Sequence, residues 1–598
     1  MRILLPALLI AAMPVAAAPA ARLPAGTAAA DLARIVADHW QWALSVDPLL
    51  ATQVGDRRGD GKLADPSLAE ADRQAATERS FIARLDAIDP AALPAPRRTD
   101  RAVLRRLLAD AVAANGFAQR AITFTTYSGW HIAFAGLPES VPLQSRADFA
   151  SYLGRLAAYP AFNQAEIAVT RAGVAAGVAQ PCAPLTGFAT SISAHIVTAP
   201  EQSVFYRPFL GRRPAAIDAA EWAALQGRAR TLVMDAVIPA YRALLDYYTN
   251  DYAPRCRATV GIAATPGGAA YYAQRAREMT TTDLTPAQIH ALGLAEVARI
   301  GAAMDKVAAG AGYPNRAAMI THMRTAPEFY AKTPQELLDR AAFTAKAIDD
   351  WLPRLIGRLP RLPFAVKAIP ADQAEGTTTA YSEWGSVASG RAGVFRVNTT
   401  HLDQRPLYEL PALTLHEAAP GHQTQGSLQQ EAALPDFRRH LATFTAYVEG
   451  WALYSERLGD EMGLYDTREK LMARHGYEMW RACRLVVDTG IHTLGWSRAQ
   501  AVDYMLANTA LSPHNIDAEV NRYITWPGQA LAYKIGELTI TRLRAQAERD
   551  LGANFDERGF HDAVLASGPV PMDVLETNVR TWVTARPSEA PAASPGAR

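Results

Sequence analysis

One short segment constrains this chain more than any other, because it places two histidines around a glutamate and a proline. The segment is His416-Glu417-Ala418-Ala419-Pro420-Gly421-His422. The histidines are six positions apart, so on a regular helix, at about 100° per residue, they would lie about 120° out of phase. Pro420 lacks an N–H and its ring clashes with the preceding turn, and Gly421 permits an unusual backbone path. We therefore expect the helix to bulge or break here and to bring both imidazoles to one point. Alternatively, the Pro-Gly pair simply ends a helix that His422 caps.

Two carboxylates follow on a second predicted helix, which runs roughly from Phe437 to Leu458. Glu449 and Glu456 are seven residues apart, so they share one helix face. Two imidazoles and one carboxylate are a typical ligand set for catalytic zinc. Glu449 is the favoured third ligand because Gly450 allows close backbone approach, and Glu456 is then an outer partner or the alternative ligand.

Glu417 directly follows the first histidine, so a helix turns its side chain away from the ligating nitrogen. That placement suits a general base that takes a proton from water, and it does not suit a ligand. Zn²⁺ is accordingly the expected cofactor, with His416, His422 and Glu449 as its ligands and Glu417 as the catalytic base.

Several segments carry a family resemblance that spans nearly the whole chain. They are His416–His422, Glu449–Glu456, Arg484–His492, Pro527–Gly536 and an early Asp47-Pro48 … Gly55-Asp56 element. With them the chain resembles the bacterial domain-of-unknown-function 885 family, judged a zincin-like metallopeptidase group. The resemblance implies a helical zincin fold with the ligands and base named above. It implies no particular substrate.

Composition and periodicity predict a mainly α protein. Lys and Arg total 60 against 59 Asp and Glu, so no charge signal favours nucleic acid. Apolar residues recur at helical intervals through most of the chain. We expect a bilobed architecture with an N-terminal helical lobe (24–282), a zincin-like catalytic lobe (283–585) and a disordered tail (586–598).

A small β-sheet is expected beside the metal helix. Short β-type runs occur at Phe364–Ile369, Thr377–Tyr381 and Gly393–Thr399. The run from Gly393 to Asn398 is the candidate edge strand for an extended peptide substrate. The alternative is a scaffold sheet without a substrate role.

The N-terminus and the cysteines bear on the cellular compartment in which the protein resides. Arg2, the apolar run from Ile3 to Met13 and the small residues at Ala16–Ala18 fit a cleavable signal peptide (1–18). They predict a secreted or periplasmic protein without a stable membrane anchor, and an uncleaved anchor is the alternative. A disulfide between Cys182 and Cys256 is left open at this point.

Further candidates lie in the C-terminal third. His492, four residues after Asp488, could serve the transition state or form a buried structural pair with that aspartate. Tyr523 or Tyr533 could donate a hydrogen bond to the oxyanion, and Lys534 or Arg481 could hold a substrate carboxylate.

The function expected from these residues is an exported zinc peptidase acting on a peptide substrate. The alternatives are a zinc hydrolase of non-peptide amides or esters and an exported binding protein with structural zinc. The sequence does not address the oligomeric state.

Overall fold

The protein is an assembly of helices around one small sheet. The computed structural model describes residues 26–126, 128–370, 374, 378–386 and 391–586. Nineteen α-helices of eight or more residues lie within these ranges. They are α1 (Ala28–Val46), α2 (Leu68–Asp86), α3 (Ala95–Asn115), α4 (Arg146–Ala175), α5 (Ala219–Leu232), α6 (Ile238–Tyr247), α7 (Gly268–Thr280), α8 (Pro286–Gly310), α9 (Arg316–Thr325), α10 (Pro334–Asp349), α11 (Leu410–Glu417), α12 (His422–Glu431), α13 (Thr445–Glu461), α14 (Arg468–Thr493), α15 (Arg498–Asn508), α16 (Pro513–Thr525), α17 (Ala532–Leu551), α18 (Glu557–Leu565) and α19 (Met572–Thr584). The predicted mainly α class is confirmed.

Local sequence signals set several helix ends. α8 begins with a capping box in which Thr285 and Gln288 satisfy each other's backbone N–H groups, and Pro286 occupies the first turn. α14 is capped by Thr467, whose side chain accepts a hydrogen bond from the Lys470 N–H. The helix predicted from Phe437 to Leu458 is wrong in its first part. The chain forms a short helix at Asp436–His440, leaves helical geometry, and α13 starts only at Thr445.

The sheet has three strands, β1 (Phe364–Ala368), β2 (Ala380–Glu383) and β3 (Gly393–Val397). Their order is β1-β3-β2, with β1 parallel and β2 antiparallel to β3. Three strands were predicted in these regions, but the choice of β3 as the edge strand is wrong. β3 is central because it hydrogen-bonds to a neighbour on each side. Among the described residues, β2 is the edge strand next to the helices that follow.

The largest core forms where helices from distant parts of the chain meet. Side chains of α1, α2 and α3 pack there with those of α13, α17, α18 and α19. These helices lie on both sides of residue 282, so the division into lobes at that position stays a prediction. A second core, rich in aromatic side chains, contains α4, α5 and α6, and a third lies between α8, α14, α15 and α16.

Two glycines let α13 and α17 approach closely within the largest core. A Cβ on Gly450 would lie 2.6 Å from the backbone of Gly536, and a Cβ on Gly536 would lie 1.9 Å from the carbonyl oxygen of Ala446. Neither position accepts a larger residue without moving a helix. The contact fixes the position of Glu449, which precedes Gly450, relative to α17.

The structure also bears on membrane insertion and on the two ends of the chain. No helix within the described ranges is long and apolar enough to cross a membrane. The predicted signal peptide (1–18), the first residue of the predicted strand at Thr377 and the tail from residue 587 onward lie outside the described residues.

A disulfide joins Cys182 and Cys256, 74 residues apart, and Cys483 is a buried thiol. Closing a loop of this length stabilises the folded state by about 4 kcal/mol in the chain-entropy model. We therefore expect the free energy of unfolding of the double variant Cys182→Ser/Cys256→Ser to be lower than that of the wild type by about 4 kcal/mol. A denaturant titration that follows the signal of the aromatic side chains measures this difference. Reductant should destabilise the wild type equally and leave the double variant unchanged. A wild type indifferent to reductant would contradict the prediction.

Candidate metal centre

The two histidines lie at the facing ends of consecutive helices. α11 ends at Glu417 and α12 begins at His422, so the chain is not helical between them. This is the break that was predicted from the presence of Pro420. Gly421 passes so close to the preceding turn that a Cβ there would lie 2.0 Å from the carbonyl oxygen of His416. The indole N–H of Trp451 on α13 donates to the Pro420 carbonyl at 2.8 Å. This turn brings the two imidazole rings to a centroid distance of 4.9 Å, nearly perpendicular to each other.

Glu449 on α13 completes a three-atom cluster. Its Oε2 lies 3.5 Å from His416 Nε2 and 3.4 Å from His422 Nε2. All three atoms lie within 4.8 Å of one another. A charged N–H···O hydrogen bond is about 2.7–2.9 Å long, so these separations are too long for one. Ligands about 2.0–2.1 Å from a tetrahedral zinc ion are about 3.3 Å apart, which matches the separations to Glu449.

Glu456 lies on the opposite side of the first histidine. The Nδ1–H of His416 donates to Glu456 Oε1 at 2.8 Å, and Arg481 Nη2 lies 3.1 Å from the same oxygen. A carboxylate that holds the distal nitrogen of a ligating histidine fixes the ring and its tautomer. The structure therefore places Glu456 in the outer position that the sequence considered for it, and it places Glu449 between the histidines.

The electrostatics of the cluster favour a cation. Burial disfavours a charged His416, but the carboxylates of Glu449 and Glu456 outweigh it and raise its pKa to about 9. Burial also acts against an ionised Glu449, yet the two histidines hold its pKa well below the usual range. The site thus combines an ionised carboxylate with two imidazoles, and a divalent ion that binds there would displace any proton on the imidazole nitrogens that face it.

Orphaned polar atoms test whether a metal ion fits here. Within the described part of the chain, Glu449 Oε2 is buried and has no hydrogen-bond donor. An unsatisfied buried carboxylate oxygen costs free energy, and a cation at the centre of the cluster would remove that cost. His422 Nδ1 is likewise without a partner among these residues, so His422 lacks the outer support that Glu456 gives His416. The residues present fit zinc.

Glu417 lines the same cavity as the three cluster residues. Ser382 Oγ on β2 lies 3.1 Å from Glu417 Oε2 and within hydrogen-bonding reach of the Glu417 carbonyl oxygen. The strand therefore positions the carboxylate that was predicted from the sequence to be the general base. Ser382 itself was not predicted, since no local pattern links a serine of a short strand to a helix 35 residues later.

The cavity has a volume of about 370 Å³, at the lower end of the range for small-ligand sites. β2 and the segment before it form one side, with the metal cluster beside them. Side chains of α14, α16 and α17 form another wall, among them Trp480, Arg481, Arg484, Arg522 and Tyr533. Trp480 and Arg522 were not predicted. The aromatic and arginine residues of α14, spaced three and four apart, were the available signal.

Of the remaining predicted residues, one lines the cavity and the others are buried away from it. Tyr533 lines the cavity, and its hydroxyl oxygen accepts a hydrogen bond from Arg522 Nη2 at 3.2 Å. Tyr523 is buried away from the cavity lining, where its oxygen accepts from the Trp480 indole and Arg484 Nε. Lys534 is fully buried among Glu296, Glu478 and Glu537 and does not reach the cavity.

His492 is also fully buried and does not line the cavity. Its Nδ1 accepts from the Ile262 N–H, and its Nε2 donates to the Tyr523 carbonyl. Asp488 instead accepts from the Tyr272 hydroxyl and the Gly528 N–H. The Asp488–His492 hydrogen bond that the sequence offered as one alternative does not form, because each side chain has hydrogen-bond partners on other elements.

Comparisons with known proteins find relatives that match most of the chain. The sequence model described as "Bacterial protein of unknown function (DUF885)" matches residues 48–579. The crystal structure of the "putative lipoprotein from Colwellia psychrerythraea" is similar at 26% identity and a TM-score of 0.86, covering 94% of this chain and 100% of that one.

A second solved structure shows the same fold at lower identity. It is the "putative lipoprotein of unknown function from Shewanella oneidensis", at 18% identity and a TM-score of 0.70, covering 92% of this chain and 99% of that one. No curated protein matches this chain.

Proposed function

The chain belongs to the bacterial family of proteins of unknown function DUF885, and we propose that it is an exported zinc-dependent peptidase. The observation that carries the proposal is the convergence of His416 Nε2, His422 Nε2 and Glu449 Oε2 beside a cavity that Glu417 also lines. A structural zinc site closes all four positions with protein ligands and needs no base. Three ligands, a neighbouring carboxylate and a cavity are the arrangement of a catalytic site.

The proposed chemistry assigns one task to each residue around the cluster. His416, His422 and Glu449 would hold the ion, and Glu456 would orient His416. When bound, zinc supplies Lewis-acid polarisation of the scissile carbonyl and a lowered pKa for the attacking water. Glu417 takes the proton from that water at its carboxylate and delivers it to the leaving amine. The Tyr533 hydroxyl, which accepts from Arg522, has its own proton to donate to the developing oxyanion.

The edge of β2 supports a peptide as the substrate. The Asn398 N–H donates to the Thr379 carbonyl, and antiparallel pairing alternates along the strand. The backbone groups of Ala380 and Ser382 therefore point away from β3. Both residues line the cavity, where an extended peptide could pair with them as an additional strand.

Three observations support the export of this protein. The two similar solved structures are those of proteins described as putative lipoproteins, and the first 18 residues have the pattern of a signal peptide. The Cys182–Cys256 disulfide is typical of an oxidising compartment.

Metal content and turnover, measured together, test the proposal. Purified protein should carry about one zinc ion per chain and cleave members of a mixed peptide library. A chelator should abolish cleavage, and added zinc should restore it. Matched amide and ester substrates in the same assay separate a peptidase from a hydrolase of other bonds. Protein that takes up no metal on reconstitution would refute the zinc site.

A further inference from the structure

The wall of the cavity that α14 forms carries two buried arginines one helical turn apart. Arg481 and Arg484 lie on the face of α14 that lines the cavity, and they are only 4% and 2% exposed. The Trp480 ring lies 4.5 Å from the Arg481 guanidinium carbon and 4.4 Å from that of Arg484. Tyr477 and Tyr533 flank the pair at 4.8 and 4.3 Å. Aromatic rings hold both guanidinium groups in place and keep water away from them.

The carboxylates near these arginines do not use all of their donors. Arg484 Nη2 lies 2.8 Å from Glu519, which is also 3.4 Å from Arg522. Arg481 pairs with Glu456, which His416 shares. Within the part of the chain that the structure describes, Arg484 Nη1 and Arg481 Nε have no hydrogen-bond partner. A buried donor on a charged group that lacks a partner is costly.

We infer that this wall binds a carboxylate group of the peptide substrate, an inference that rests on the proposed peptidase function. Guanidinium groups recognise carboxylates through paired, charge-assisted hydrogen bonds, which strengthen where water is excluded. The wall and the metal cluster line one cavity of about 370 Å³. A carboxylate on the arginines therefore holds a peptide bond within the same small space as Glu417.

The carboxylate can come from the C-terminus of a peptide or from an acidic side chain, and matched substrates distinguish the two. N-acetyl-trialanine is compared with its C-terminal amide. A second pair, both amidated, carries aspartate or asparagine at the last position. Recognition of the C-terminus predicts that the free acid is preferred about 10- to 100-fold in kcat/KM. Recognition of a side chain predicts the same preference for aspartate over asparagine among the amides.

Variants test whether these arginines cause the preference for a carboxylate in the substrate. Arg484→Gln should remove most of the preference, and Arg484→Lys, which keeps the charge but loses the planar donors, should retain part of it. Arg438→Gln is the matched control, because Arg438 is equally buried and pairs with Asp100 at 3.0 Å but does not line this cavity. It should lower stability and leave the preference unchanged. The wild-type substrate ratios need no variant, so a folding defect at Arg484 does not block the test.

Binding without turnover separates this inference from the peptidase proposal. The Glu417→Gln protein is titrated with each acid and amide by calorimetry. Preferential binding of an acid without cleavage by the wild type would support the arginine wall and refute the peptidase. Equal cleavage and equal binding within both pairs would overturn carboxylate recognition and leave the peptidase standing. If no peptide is bound and none in the mixed library is cleaved, both proposals fail.

Discussion

Glu417→Gln is expected to keep its zinc while kcat falls about 10²- to 10⁴-fold, the usual contribution of a general base. Glutamine has nearly the same shape, so its side-chain oxygen can still accept from Ser382 Oγ, which lies 3.1 Å from Glu417 Oε2. It cannot take a proton from water. KM should change little, because the carboxylate acts on the reaction and not on substrate binding. Steady-state kinetics with metal analysis of the same sample measures both quantities.

Ser382→Ala is the matched control for that variant. It removes the hydroxyl that positions the Glu417 carboxylate but leaves the base in place, so kcat should fall less and its pH profile should keep its shape. Full activity in Glu417→Gln would show that another group takes the proton. Loss of zinc in that variant would instead make Glu417 a ligand.

The second large effect is expected on metal binding when Glu449 and Glu456 of α13 are exchanged separately for glutamine. Glu449→Gln should reduce bound zinc from about one equivalent to less than about a tenth, because the cluster loses its only anionic ligand. Glu456→Gln should keep the ion with an affinity about 10- to 100-fold lower, since it weakens the support of His416 and not the ligand itself. Metal analysis after dialysis and competition with a chromophoric chelator give the two numbers.

The two glutamine variants control for each other, because the substitutions are identical and lie two turns apart on one helix. Circular dichroism should show the same helix content in both. Loss of zinc in Glu456→Gln alone would reverse the assignment of ligand and outer partner and leave the proposed chemistry intact. Retention of zinc in both would exclude this cluster as the metal site.

The convergence of His416, His422 and Glu449 could be predicted from the sequence because its constraints are local. Pro420 disfavours an unbroken helix, and His416 and His422, six positions apart, can meet only if the chain turns between them. The seven-residue spacing of Glu449 and Glu456 places both on one face of any helix. None of these arguments depends on which distant element packs nearby.

Sequence reasoning failed where the answer depended on distant partners. Strand order depends on which strands pair with each other. The sequence of β3 alone does not show that β1 and β2 pair with it on both sides and make it the central strand. Asp488 and His492 have the spacing of an interacting pair, yet Tyr272 and Ile262, more than 200 residues earlier, satisfy them. Tyr523 and Tyr533 could not be told apart, because only tertiary packing decides which of them reaches the cavity.

The position of β2 also bears on which chains could pair with its free edge. A strand with unpaired backbone groups invites the strands of other chains, and many proteins block such edges with charges or covering loops. Here Ala380 and Ser382 present their backbone groups inside a recess of about 370 Å³. The sheet of another folded molecule is too broad to enter it, whereas one extended segment is narrow enough. Access alone would thus admit short or unfolded chains, exclude intact proteins and protect the molecule from pairing with its own copies.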